Sequence, residues 1–272
     1  MTDFARQPLA VRDAAYDNAA AVPESTALIA AWSAASADFR ARHGAHLDIS
    51  YGPRERTKWD LFPGAPNAPC LVFIHGGYWL RNSREVFACM AEGVRAHGWS
   101  AALPGYTLCP NATLTEITRE IGHALDWLSA HRAEYGINGH VILSGWSAGG
   151  QLATYALDHH SVSAGLAISG LFDLGPLRHV TYNDTLNLTE AECLTLSPQR
   201  LPASRKPLTL AYGTIELPAL IANSCDYHAK RTAAGAPGPL LELEGRNHFD
   251  ILEQLRSPDG ALTLAALALT RR

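Results

Sequence analysis

Residues 140–153 constrain this chain more than any other stretch. The apolar run Val141-Ile142-Leu143 leads into Ser144-Gly145-Trp146-Ser147-Ala148-Gly149-Gly150, and small residues dominate through 157. That order reads as a buried strand, a tight turn and the opening of a helix. In a Gly-x-Ser-x-Gly turn of this kind the serine sits in strained backbone, with its Oγ exposed above the end of a sheet. Positions 145 and 149 must be glycine, because a Cβ at either would collide with the neighbouring strand or helix. The helix that follows aims its N-terminal partial charge at the same place and favours a developing oxyanion there.

The rest of the chain supplies a scaffold for such a turn. Residues 1–23 read as a partly extended arm. Residues 25–42 carry Leu28, Ile29, Trp32 and Phe39 at roughly helical spacing, and Gly44 ends the run. Residues 46–51 alternate as a half-buried strand, with 57–62 as a hairpin partner. The continuous apolar run 70–74 has the character of a strand covered on both faces. It ends in His75-Gly76-Gly77-Tyr78-Trp79. Helical and strand patterns then alternate: helix 83–97, strand 100–103, helix 113–135, the strand and helix of 140–157, strand 163–169, strand 207–212, helix 219–234 and strand 239–242, with a helical segment closing the chain. Residues 173–206 show little periodicity and read as an insertion. Strands separated by helices imply right-handed crossovers and a parallel sheet. No repeat or low-complexity linker interrupts the pattern, so 1–272 reads as a single domain, with 1–44 an N-terminal arm and helix and 173–206 a cap.

A serine nucleophile needs a base beside it, and in this architecture the partners follow in the order serine, acid, histidine. His248 fits the base, because it falls in the loop between the last strand and the last helix. His43, His46, His97, His131, His159 and His160 read as surface or capping residues. Two acids are candidates. Glu216 lies just beyond the strand 207–212 and is favoured, because its strand neighbours the one feeding His248. Asp173 lies beyond the preceding strand, where it also suits turn chemistry. An acyl-transfer transition state needs fixed N–H donors for its oxyanion. The glycines after residue 74 allow close backbone approach, which assigns the donors to Gly77, Tyr78 and Ala148. Trp79 and Trp146, with Tyr78, flank this place and are candidates to pack an aromatic ring of a substrate.

These motifs carry a resemblance. The chain is similar to α/β-hydrolases and, within them, to the kynurenine formamidase (arylformamidase) group. His75-Gly76-Gly77-Tyr78-Trp79 matches that group's HGGxW motif, where lipase-like esterases show HGGG. Ile168-Ser169-Gly170-Leu171-Phe172-Asp173-Leu174-Gly175-Pro176-Leu177 and Gly213-Thr214-Ile215-Glu216-Leu217-Pro218 also resemble bacterial members. The match runs from about residue 45 to 255, and it departs in having Glu216 where many members have aspartate. The resemblance implies an α/β-hydrolase fold, with a mostly parallel twisted sheet of about eight strands, helices on both faces and a small insertion over the site. It implies a serine hydrolase that cleaves an aryl formamide such as N-formylkynurenine through an acyl-enzyme, with no cofactor. A short-chain carboxylesterase is the alternative. A non-catalytic small-ligand receptor is a third reading, disfavoured because all three triad residues are present. Metal-dependent formamidases use histidine-rich zinc motifs that are not found here. His159 and His160, adjacent in a helix, would not face one metal.

Composition narrows the partners. A net charge of −4, with no more than two adjacent basic residues, leaves no footprint for nucleic acid or an anionic membrane. Five scattered cysteines without a CxxC suggest buried free thiols and a reducing, cytoplasmic setting, in which the sequons at Asn111 and Asn187 carry no meaning. The first seventeen residues lack the apolar core of a signal peptide, and no apolar run reaches the length of a membrane span. The expected partner is a small-molecule substrate; a homodimer stays open.

Overall fold

The computed structural model describes residues 4–236 and 238–270. Its eight strands are β1 (His46–Ser50), β2 (Lys58–Phe62), β3 (Cys70–Ile74), β4 (Ser100–Pro104), β5 (Val141–Trp146), β6 (Val162–Ile168), β7 (Leu208–Gly213) and β8 (Leu240–Leu243). They form one sheet in the order β1-β2-β4-β3-β5-β6-β7-β8. The two contacts made by β2 are antiparallel and the rest are parallel.

Strand alternation explains why helices cover both faces. Every residue of β3 is buried. Cys70, Val72 and Ile74 feed one core, together with the helices Leu114–His131, Ala148–Tyr155 and Pro218–Ala233. Leu71 and Phe73 point the other way, into a second core with Trp32 and Phe39 of the helix Ser25–His43 and with the C-terminal helix Ala261–Ala268. Period-2 side-chain alternation on a doubly covered strand demands such a continuous apolar run.

Register then places the loops. Ile74 pairs with Gly145, Trp146 with Ile168, Ile168 with Ala211, and Gly213 with Leu243. The C-terminal ends of β3, β5, β6, β7 and β8 therefore lie side by side along one edge of the sheet, where ligands of open α/β sheets bind.

The structure departs from the sequence reading in several elements: the helix expected over 113–135 is α-helical only through His131 and ends in a 3-10 turn, Arg132–Tyr135, and two larger departures lie earlier in the chain. Residues 1–23 were expected to be extended, yet the chain forms a 3-10 turn at Phe4–Arg6 and helices Leu9–Ala14 and Asn18–Ala21; residues 1–3 lie outside the described residues. Helices this short do not stand alone. Tertiary bonds hold them: Asp13 accepts from the Thr181 N–H (2.7 Å) and hydroxyl (2.6 Å), and the Tyr16 carbonyl accepts from the Tyr78 hydroxyl (2.5 Å). Residues 83–97 were expected to be one helix, but they divide into a 3-10 stretch, Arg84–Ala91, and an α-helix, Glu92–Ala96. Ser36 supplies the reason. Its hydroxyl donates to the Val86 carbonyl (2.8 Å) and accepts from the Cys89 N–H (3.0 Å), taking up groups an α-ladder would pair within itself.

Residues 173–206 contain a 3-10 turn, Gly175–His179, and the helices Asn183–Leu186 and Glu190–Leu196. A capping box, Thr189 with Glu192, starts the latter helix. The other carboxylate oxygen of Glu192 accepts from the N–H and hydroxyl of Thr115 (3.0 and 2.9 Å), tying the segment to the long helix Leu114–His131. The five cysteines are free; four are buried and Cys225 is half-buried. Among the described residues no helix is long and apolar enough to cross a membrane.

Candidate active site

Ser147 stands at the tip of the turn between β5 and the helix Ala148–Tyr155, with φ 56° and ψ −118°. For a non-glycine residue this conformation costs about 1–3 kcal/mol and persists only when its surroundings fix it. They do so here: the Ser147 N–H donates to the Ile168 carbonyl (2.9 Å), and its own carbonyl accepts from the Gln151 N–H (3.2 Å). The flanking glycines are required by space. A Cβ at 145 would sit 2.1 Å from the Gly149 carbonyl oxygen, and one at 149 would sit 2.1 Å from that of Ile74.

Of the two candidate acids, Glu216 is the one joined to His248. Its Oε2 accepts from the imidazole Nδ1 at 2.8 Å, and both side chains are buried. Its Oε1 accepts from the Ser169 hydroxyl (2.6 Å) and the Gly213 N–H (2.7 Å). These three bonds fix the carboxylate and hold the imidazole as the Nδ1–H tautomer, which leaves Nε2 with its lone pair. Asp173 instead accepts from the Gly175 N–H (3.0 Å) and from Arg200 Nε (3.2 Å), as a turn residue would. Ser169 escaped the sequence reading. Its only signal is its place one residue beyond β6, which becomes informative once β6 and β7 are known to be neighbours.

His248 is held from its other side as well. Trp146 Nε1 donates to the His248 carbonyl at 2.7 Å, and the two rings lie 5.0 Å apart. Asn247 Oδ1 accepts from the N–H groups of Phe249 and Asp250 (2.8 and 2.9 Å), closing the loop. Ser147 and His248 open onto one cavity of about 190 Å³. Their side chains form no hydrogen bond with each other here, an arrangement common in unliganded sites that tighten around substrate.

The loop after β3 forms the facing wall. Gly77 has φ +120°, which favours glycine, and Tyr78 and Trp79 follow with φ of 53° and 55°. This sharp reversal leaves the N–H groups of Gly77 and Tyr78, like that of Ala148 at the helix start, with no acceptor among the described residues. The Tyr78 side chain lines the cavity and stacks on Tyr182 with ring centroids 4.5 Å apart. Its hydroxyl donates to the Tyr16 carbonyl and accepts from Asn18 Nδ2 (3.3 Å). Burial pushes its pKa well above the ordinary range, so it stays protonated.

Trp79, expected beside substrate, is wholly buried in the core and does not line the cavity. Two successive left-handed residues turn its ring back under the loop. Trp146 does line the cavity. The sequence reading did not place the N-terminal residues Asn18, Ser25, Thr26 and Ile29, which form much of the remaining wall.

His75 anchors the loop. Its ring stacks on Tyr106 at 4.3 Å, its Nδ1 lies 2.9 Å from the Gly76 carbonyl, and its own carbonyl accepts from the Tyr106 hydroxyl (2.9 Å). Burial lowers its pKa from 6.5 to about 3. Above pH 6.5 it is neutral whether folded or unfolded and contributes nothing to pH dependence. Below that, the unfolded chain takes up the proton and the folded one does not, so stability falls as pH falls. Urea unfolding should show His75 costing about 1.4 kcal/mol per pH unit as pH drops from 6.5 toward 3. The slope should flatten in His75→Asn; equal slopes in the two proteins would contradict the assignment.

One expectation about metals is corrected. His159 and His160 are not in a helix: the helix ends at Tyr155, and both histidines lie in the following turn with ring centroids 4.3 Å apart. Asp126 meets them, with its Oδ1 3.0 Å from His159 Nε2, and the three side chains bring their ligand atoms within 4.8 Å of one another. The group contributes no residue to the Ser147 cavity.

The eight-stranded, mostly parallel sheet with helices on both faces is the α/β-hydrolase fold. Residues 63–163 match the family described as BD-FAE. The chain is similar to a kynurenine formamidase of Danio rerio, 25% identical over 240 residues that cover 82% of this chain and 81% of the relative. A kynurenine formamidase of Salmo salar is 27% identical over 241 residues, with the same shares. The crystal structure of a candidate thioesterase from Silicibacter sp. TM1040 matches with a TM-score of 0.82 at 29% identity, covering 94% of this chain and 98% of that one.

Proposed function

We propose that this hydrolase cleaves an aryl formamide, with N-formylkynurenine as the model substrate, through a formyl-enzyme. The observation that carries this reading is the cavity at Ser147, small in volume and walled by Tyr78, Trp146, Tyr182 and Phe249. Such a space suits a minimal acyl group and an aromatic leaving group. Similarity to two kynurenine formamidases over four-fifths of the chain supports the same substrate.

In this mechanism Ser147 Oγ attacks the formyl carbon while its proton passes to His248 Nε2. Charge develops on the former carbonyl oxygen and is met by the N–H groups of Gly77, Tyr78 and Ala148. Glu216 stabilises the imidazolium without taking its proton. Collapse breaks the C–N bond, and the imidazolium protonates the departing arylamine nitrogen. Water, deprotonated by His248, then attacks the formyl ester and releases formate and free Ser147. The short helices of residues 173–206 and the N-terminal helices act as the cover of a single hydrolase domain.

A second reading, a short-chain ester or thioester hydrolase with the same triad, draws on the likeness to the Silicibacter protein. Relative kcat/KM separates the two, because it measures differential transition-state stabilisation. N-formylkynurenine should be cleaved at roughly 10⁴ M⁻¹s⁻¹ or more, and aryl esters should lose efficiency beyond about four acyl carbons as the chain meets the pocket wall. Efficient cleavage of short esters with no turnover of N-formylkynurenine would leave the esterase reading standing.

A further inference from the structure

We propose that Arg81 is an anion anchor, and that the natural leaving group carries a carboxylate that this guanidinium binds at the cavity mouth. The inference rests on the reading above for one point, the aromatic leaving group.

Arg81 lines the same cavity as Ser147 and His248, where it is the sole lysine or arginine among the lining residues. No aspartate or glutamate lines that cavity. Other arginines near the sheet are neutralised: Arg40 and Arg84 meet the buried Asp60 at 2.8 and 3.1 Å, and Arg256 meets Glu92 at 2.9 Å. Arg81 forms no ion pair among the described residues. In a chain of net charge −4, a cation without a counter-charge at the entrance to an otherwise apolar pocket is a ready partner for an anion.

The guanidinium is held rather than free. It lies 5.5 Å from the centroid of the Tyr182 ring. Tyr182 stacks on Tyr78, and its hydroxyl also lies 3.4 Å from Asp17 Oδ1. Asp17 is itself engaged in capping the Ala20 N–H at 3.1 Å. A guanidinium resting on an aromatic face keeps further N–H donors along its rim, the geometry that suits a carboxylate.

The position of Arg81 in the chain gives the anchor leverage on the chemistry. The N–H groups of Leu80 and Arg81 both donate to the Gly77 carbonyl, at 3.0 and 3.1 Å, and Asn82 Nδ2 donates to the Gly76 carbonyl at 3.2 Å. The cation and the proposed oxyanion donors therefore share one closed turn. A leaving group clamped by Arg81 would set the scissile carbonyl in register with the N–H groups of Gly77 and Tyr78, an orienting effect rather than a uniform gain in binding.

The test compares 3- and 4-acetoxybenzoate with phenyl acetate, esters that differ in the carboxylate on the leaving group. The readout is the ratio of kcat/KM for the anionic substrate to that for the neutral one. Arg81→Gln should lower this ratio by about 10- to 100-fold, the scale of one charge-assisted hydrogen-bonded pair. Arg81→Lys should retain part of the preference, and Arg81→Glu should fall below the glutamine variant. Because the site is open, added salt should lower the wild-type ratio. A ratio that is the same in wild type and Arg81→Gln overturns the proposal, as does an equal loss on both substrates, which would mean that Arg81 only supports the loop. Since the probes are esters, absence of N-formylkynurenine turnover would strike the formamide reading and leave this ratio readable.

Discussion

Ser147→Ala is expected to lower kcat by about 10⁴- to 10⁶-fold, the scale of losing a triad nucleophile. The loss follows from geometry. Ser147 carries the one aliphatic hydroxyl that the turn lifts into the cavity shared with His248; the other hydroxyls among the lining residues belong to the phenols of Tyr78 and Tyr182 and to Ser25 and Thr26 of the N-terminal segment. The fold should be indifferent to the change. Alanine bears the φ of 56° no worse than serine, so the melting temperature should stay put while turnover disappears. An organophosphonate should label the wild-type protein at Ser147 and fail to label the variant, and EDTA should leave wild-type activity intact. Near-normal turnover in the variant would end the serine mechanism.

Glu216→Gln is expected to lower kcat by roughly 10²- to 10⁴-fold through the imidazole tautomer. The wild-type carboxylate accepts at both oxygens, from His248 Nδ1 on one side and from Ser169 and Gly213 on the other. A glutamine has one acceptor oxygen and one NH₂. The Gly213 N–H cannot rotate away, so the amide oxygen must stay with it and the NH₂ must face His248. The imidazole then turns its Nδ1 lone pair to that NH₂ and carries its proton on Nε2, where it cannot accept one from Ser147. Asp173→Asn should cost less than tenfold, because its partners are the Gly175 N–H and Arg200. The reverse ranking would move the acid to Asp173. Proton placement on His248, read by imidazole nitrogen NMR, would check the tautomer independently of rate.

Local signals made much of this legible in the sequence. The apolar run 141–143, the glycines at 145 and 149 and the run at 70–74 each specify an element through short-range sterics and alternation, and the structure has those elements where the pattern put them. Features set by distant partners were not legible. Leu9–Ala14 and Asn18–Ala21 are too short to register as helices and rely on residues 78 and 181. Ser169 acquires its partner through strand order alone. Trp79 has the composition of a pocket wall, but its direction depends on two left-handed residues that no local pattern announces. His159 and His160 lie past a helix end marked by no proline and no glycine, so the preceding small-residue run seemed to continue through them.

The N-terminal wall has a consequence for when the enzyme can work during synthesis. Asp13 waits for Thr181, 168 residues later, and Trp146 waits for the His248 carbonyl, 102 residues after it. Contacts of such sequence separation form late. A ribosome-bound chain can therefore assemble β3, β4 and β5 and expose Ser147 long before it has a base or a closed pocket. Under the proposed mechanism Ser147 would therefore remain chemically idle until nearly the whole chain has emerged, and a nascent fragment would carry the turn without its reactivity.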